Sequence, residues 1–200
     1  MKVNAVILGL AIAATAGQGA ESGANTKEPT IQFEFGHARP AAPALEKFTL
    51  AQLNAAVLAE TNRVRVEHGL PPLRWWAVLA AAAEDQAAFM ALTLHVAHEN
   101  PIRGQHDVLE RVRRHGDPPF SRVAENVLST GFAAPRDPPQ SCAEVAIDMV
   151  ARWLESPGHR ANLLNRHFTD LGCATQRVDF VGGTQNIFAA QVFATRDSVR

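Results

Sequence analysis

The feature that most constrains this chain lies near its C-terminus, where two β-rich runs, LGCATQRV (171–178) and NIFAAQVFA (186–194), flank Gly182-Gly183. Runs of this composition on either side of a Gly-Gly pair read as an antiparallel hairpin. What precedes the hairpin is mostly helical. Thr49 with Gln52 makes a capping-box signature, and Leu50, Leu53, Val57, Thr61 and Val64 then recur at helical spacing until Gly69 and Pro71-Pro72 stop the run. An Ala-rich helix, apolar on most sides and therefore central, is expected from about Trp75 to about His95. Residues 105–116 make a weaker helix, and SRVAENVLS (121–129) reads as a strand with a polar insertion. After the Pro-rich loop 133–140, Ser141 with Glu144 opens another helix, whose Val145, Met149, Val150 and Trp153 share one face. No internal repeat is visible. Helices, strand, helix, hairpin is an α+β order, not an alternating βαβ order. Trp75, Phe89, Met90, Trp153, Phe188 and Val192 are expected to be core.

The ends of the chain carry different information. MKVNAVILGLAIAATAGQGA pairs one lysine with a short apolar run and small residues, so residues 1–16 read as a signal peptide cleaved after Ala14-Thr15-Ala16. The apolar run is too short to span a bilayer, and no transmembrane span is expected after processing. Residues 17–48, rich in Ala, Gly, Pro and Glu, read as a flexible leader, and 49–197 as one domain. Secreted or periplasmic localisation follows from the signal. With 19 basic and 20 acidic residues mixed along the chain, there is no electrostatic footprint for nucleic acid. An oxidising compartment permits disulfides, and the two cysteines, Cys142 and Cys173, allow one intrachain bridge. Two unpaired buried thiols are the competing reading.

The stretch ESPGHRANLLN (155–165) places His159 directly after a Pro157-Gly158 break, at the start of a new apolar run. Proline and glycine end the preceding helix, so the imidazole is aimed by a fixed bend. Three other stretches stand in order before it. Asn62-Arg63 precedes HGLPPLRW (68–75), His98 follows the second helix, and Ala124-Glu125-Asn126-Val127 lies in the strand. Together with Trp153, these stretches resemble the motifs of the CAP superfamily (cysteine-rich secretory proteins, antigen 5, pathogenesis-related 1), also called the SCP domain, in its bacterial form. The resemblance covers roughly residues 50–195. It implies an α-β-α sandwich, with a small antiparallel sheet between helices and a cleft holding His98, Glu125 and His159. The chain departs from the family pattern at Ala124 (a glycine in relatives), at Ser156 (an acidic residue in eukaryotic members) and at Trp76 (often Asp).

Two imidazoles and a carboxylate are a donor set that a divalent metal such as zinc accepts. Glu125 can equally serve as an orienting partner for a histidine, and the trio can be a purely structural cluster. His95, His106 and His115 read as solvent-facing turn residues. The HExxH and GxSxG motifs are absent. Two functions follow from the resemblance. One is a binding module for a lipid or other small hydrophobic ligand, with metal as a further candidate. The alternative is a metal-dependent hydrolase using the same cleft.

Overall fold

The computed structural model describes residues 48–116, 119–132, 141–181 and 184–197. The signal peptide expected over 1–16, nearly all of the leader expected over 17–48, the Pro-rich loop 133–140 and the Gly182-Gly183 turn lie outside the described residues. Helix α1 spans Leu50–Glu67 and starts with a complete Thr49–Gln52 capping box. The short strand β1 (Arg74–Trp75) leads into α2 (Ala77–Thr93), followed by α3 (Val108–Arg114) and β2 (Phe120–Phe132). Helix α4 (Cys142–Glu155) opens with the Ser141 side chain accepting from the Glu144 amide. Pro157 then begins α5 (Pro157–Leu163), and β3 (Asp170–Asp179) and β4 (Gln185–Arg196) follow.

The sheet order is β1-β3-β4-β2. β4 pairs antiparallel with both β3 and β2, so the expected hairpin forms and the earlier strand joins its far side. β1 pairs parallel with β3 over Arg74–Trp75, which makes the sheet mixed where an antiparallel one was expected. A two-residue strand carries no period, so only tertiary pairing reveals it.

Alternation along β4 splits the core. Ile187, Ala189 and Phe193 join the cluster built on α1 and α4, including Leu53, Val57, Met149 and Trp153. Phe188, Ala190, Val192 and Ala194 face the other way, onto Leu79, Ala83, Ala87 and Met90 of α2. The Ala-rich run of α2 has a steric purpose, because it presses on small residues of the sheet. A Cβ added at Gly172 of β3 would lie 2.0 Å from the Ala80 amide nitrogen, so only glycine allows this approach. The result is the expected α-β-α sandwich. Among the described residues no helix is long and apolar enough to cross a membrane.

Three expectations are corrected. Trp75 is 43% exposed, because β1 is the outermost strand and the indole lies at a groove with Ala51, Ala55 and Leu58 of α1. Phe89 is only partly buried. The Cys142–Cys173 bridge is not formed, and both cysteines are free thiols. The buried Cys173 Sγ is directed at the Asn54 carbonyl of α1, 3.1 Å away, and burial pushes its thiol up to about 12. Cys142 packs against the α1–α4 cluster at the first turn of α4. Cys173 is thus a buried thiol that donates to a carbonyl, and Cys142 a half-buried one at the cluster's edge.

Candidate functional site

Strand β2 lies at the edge of the sheet, and two successive residues on it face opposite layers. Glu125 points with Val123 and Val127 toward α2 and α3, whereas Asn126 points with Ala124 and Leu128 toward α1, α4 and α5. The Glu-Asn pair in this strand thus serves both sides of the sandwich at one point along the edge.

On the α2–α3 side, Leu94 closes α2 with a left-handed backbone (φ 55°) and releases the chain into the loop that carries His98. The loop buttresses itself. Buried Asn100 donates from its side chain to Gln105 Oε1 (3.1 Å), and its backbone amide donates to the His106 carbonyl (3.0 Å). Gln86 of α2 donates to the Ala97 carbonyl. His98 Nδ1 lies 2.9 Å from Glu125 Oε1, and the Arg111 guanidinium of α3 donates to Glu125 Oε2 at 2.6 Å. The Arg111 and Glu125 side chains are 0% and 3% exposed, whereas that of His98 is 54% exposed.

On the other side, Asn126 positions α5. Its Nδ2 donates to the His159 carbonyl (3.1 Å), while Asn162 Nδ2 donates to Asn126 Oδ1 (2.9 Å) and to the Glu125 carbonyl (3.2 Å). Gln191 links the same network to Thr61 of α1 at 2.8 Å. Buried Arg65 holds the far end of α5, donating to the carbonyls of Leu163 (2.8 Å) and Asn165 (3.0 Å). That cation satisfies carbonyls a helix terminus otherwise leaves orphaned. Helix α5 is therefore fixed at both ends. Its His159 imidazole comes to 6.1 Å, centre to centre, from His98.

The structure brings together all three residues expected in the cleft, in unequal roles. Both Glu125 oxygens are engaged, one by His98 and one by Arg111. Burial, and the nearby His98, lower the pKa of His159, which favours the neutral ring. Among the described residues no group of three or more His, Cys, Asp and Glu is arranged to hold a metal ion. Ser156, at the place of the second acidic residue, stands at the N-cap position of α5 without a side-chain capping bond and supplies no carboxylate. Trp76 packs with the α2-side cluster, under the Arg196 guanidinium at 3.8 Å. His95 and His106 are exposed, and His115 Nε2 lies 2.8 Å from Asp85. Sequence reasoning missed Arg111 and Arg65, and it quoted Asn126 and Asn162 within their motifs without assigning them a role. A legible signal for Arg111 was its place beside Val112 and one turn after Val108, on the apolar stripe of α3.

Comparison with known proteins gives a consistent picture. The family model described as the cysteine-rich secretory protein family, CAP, matches residues 58–193. An uncharacterised membrane protein of Bacillus subtilis (strain 168), YlbC, is 30% identical over 142 residues, spanning 70% of this chain and 36% of that protein. An extracellular protein containing a SCP domain from Bacillus anthracis str. Ames superposes with a TM-score of 0.58 at 25% identity, covering 80% of this chain and 45% of that one. An outer surface protein from Borrelia burgdorferi shares the fold at 17% identity, with a TM-score of 0.55 over 75% of this chain and 97% of its own. The chain thus spans less than half the length of the two Bacillus proteins.

Proposed function

The chain belongs to the cysteine-rich secretory protein (CAP) family, and from that premise we propose that it is an exported binding module. Its cleft takes a ligand between His98 and His159 and holds no catalytic centre of its own. The observation that carries this reading is the commitment of Glu125. With one oxygen on His98 and the other on Arg111, the carboxylate is an orienting group, and the two imidazoles are the donors left for a ligand. Catalytic zinc centres use three protein ligands and an open position. Two donors suit an exchangeable ion better than a hydrolytic one, so the metal-dependent hydrolase reading has the weaker support.

The two rings do fit one divalent ion such as zinc. Metal–nitrogen bonds of about 2.0–2.1 Å put the centres of two coordinated imidazoles about 5–6 Å apart, and 6.1 Å is observed. His98 and His159 would hold the ion, with Glu125 behind His98 as the outer carboxylate. Such an ion would supply a Lewis acid whose remaining positions are open to water or to a ligand oxygen. Export is supported by the N-terminal sequence and by relatives described as extracellular and outer-surface proteins.

A separate observation favours a hydrophobic ligand as well. A groove of about 310 Å³ runs between α1 and α4, walled by Ala56, Ala59, Ala143 and Ile147, with Glu60 and Arg63 at its rim. Ile147 is 51% exposed there. Mass spectrometry of the protein under native conditions, as purified, would read a retained lipid directly.

Calorimetric titration with zinc tests the cleft. Wild type should bind one ion, and His159→Ala should lose detectable binding while its circular dichroism stays native. Affinity should also weaken below about pH 6, where protonated imidazole no longer ligates. Equal zinc binding by both proteins would defeat the metal reading.

A further inference from the structure

Resting on the reading of His98 as a ligand-facing imidazole, we infer that Arg111 is a positioning residue that sets which nitrogen of His98 meets the ligand. One guanidinium grips His98 twice. It donates to the His98 carbonyl at 3.2 Å, and through Glu125 it reaches the His98 ring. A third bond, to the Gln105 carbonyl at 2.8 Å, ties the opposite end of the same loop. The loop ends and the imidazole are thereby referred to one buried cation.

The chemical consequence concerns the proton on the ring. A carboxylate paired with a buried guanidinium is an acceptor only, so the His98 nitrogen beside it has to carry the hydrogen. His98 is then held as the Nδ1–H tautomer, and the bare lone pair sits on Nε2, the nitrogen away from Glu125. That lone pair is what a metal ion or a ligand hydroxyl requires. If the cation is removed, Glu125 loses the partner that fixes its second oxygen, the loop loses two carbonyl anchors, and the tautomer is no longer enforced. The resemblance to CAP proteins pointed to histidines and acids, whereas here an arginine organises the pair.

Nitrogen-15 NMR of the imidazoles, on metal-free protein at about pH 8, reads this directly. Wild-type His98 should favour the Nδ1–H form by at least about tenfold, as one charge-assisted hydrogen bond implies. Arg111→Met should cut that ratio several-fold, with His159 serving as the internal control. Should Arg111→Met fail to fold, Arg111→Lys takes its place. Lysine supplies the charge without the fork, so the ratio should drop part of the way. A wild-type His98 protonated on Nε2, or a ratio unchanged in the folded variant, overturns the proposal. Zinc titration of the same samples is read separately. A wild type with the expected tautomer and no zinc binding would overturn the metal reading and leave the role of Arg111 standing.

Discussion

Burial, and then the neighbouring His98, hold the His159 imidazole below its ordinary pKa of 6.5. The unfolded chain therefore takes up this proton at a higher pH than the folded chain does. Between the two values the unfolded state binds more protons, so stability is present above about pH 6.5 and is lost as pH falls toward the folded value. Acidification from about pH 7.5 to about 5.5 should lower the urea midpoint of wild type more than that of His159→Gln. Equal losses would show that His159 is not shielded from water. The sequence made His159 legible because a Pro-Gly break marks it, and it made Glu125 legible through its motif. Arg111 carried only a faint signal, its place on the apolar stripe beside Val112, for a physical reason. In VLERVRR it stands among other arginines, and only packing decides which of them is desolvated. Cys173 shows the same limit, since export and parity argue for a bridge while the geometry turns the sulfur toward a carbonyl.

At the scale of elements, local signals did well wherever a cap or a period exists. The Thr49 and Ser141 caps and the pairing of β3 with β4 stand as read, whereas the new helix begins at Pro157 itself and not at His159 after the break. β1 and the exposure of Trp75 escaped because both depend on a strand two residues long. The contact between α2 and β3 was equally hidden, since Gly172 reads simply as a weak strand residue. Its missing side chain is what lets the helix backbone approach. Gly172→Ala must push α2 off the sheet and should cost about 3 kcal/mol or more, at the upper end of overpacking effects. A denaturation midpoint close to wild type would mean that the helix can shift at little cost. The α1–α4 face is built differently, from Leu53, Met149, Trp153 and other large side chains, and its surface grooves lie along α1.

Across the whole molecule, the sheet divides two apolar layers, and His98 and His159 approach each other around its β2 edge. His98 belongs to the layer of α2 and α3, and His159 to the layer of α1, α4 and α5. An ion held by both stabilises only the folded chain, by about 2.7 kcal/mol at a hundredfold excess over Kd. For a domain of this size, that raises Tm by about 5–10 °C. Thermal unfolding with and without zinc should show the rise in wild type and lose it in His98→Ala; an undiminished rise in that variant would place the ion elsewhere. The layered construction has a mechanical corollary. Shear between packed layers is one way domains move, and the two rings, 6.1 Å apart, belong to different layers. A guest bound between the histidines would therefore tie one layer to the other. If the proposed guest binds there, a pull that shears one layer past the other should loosen its grip, and affinity measured under load would report that strain.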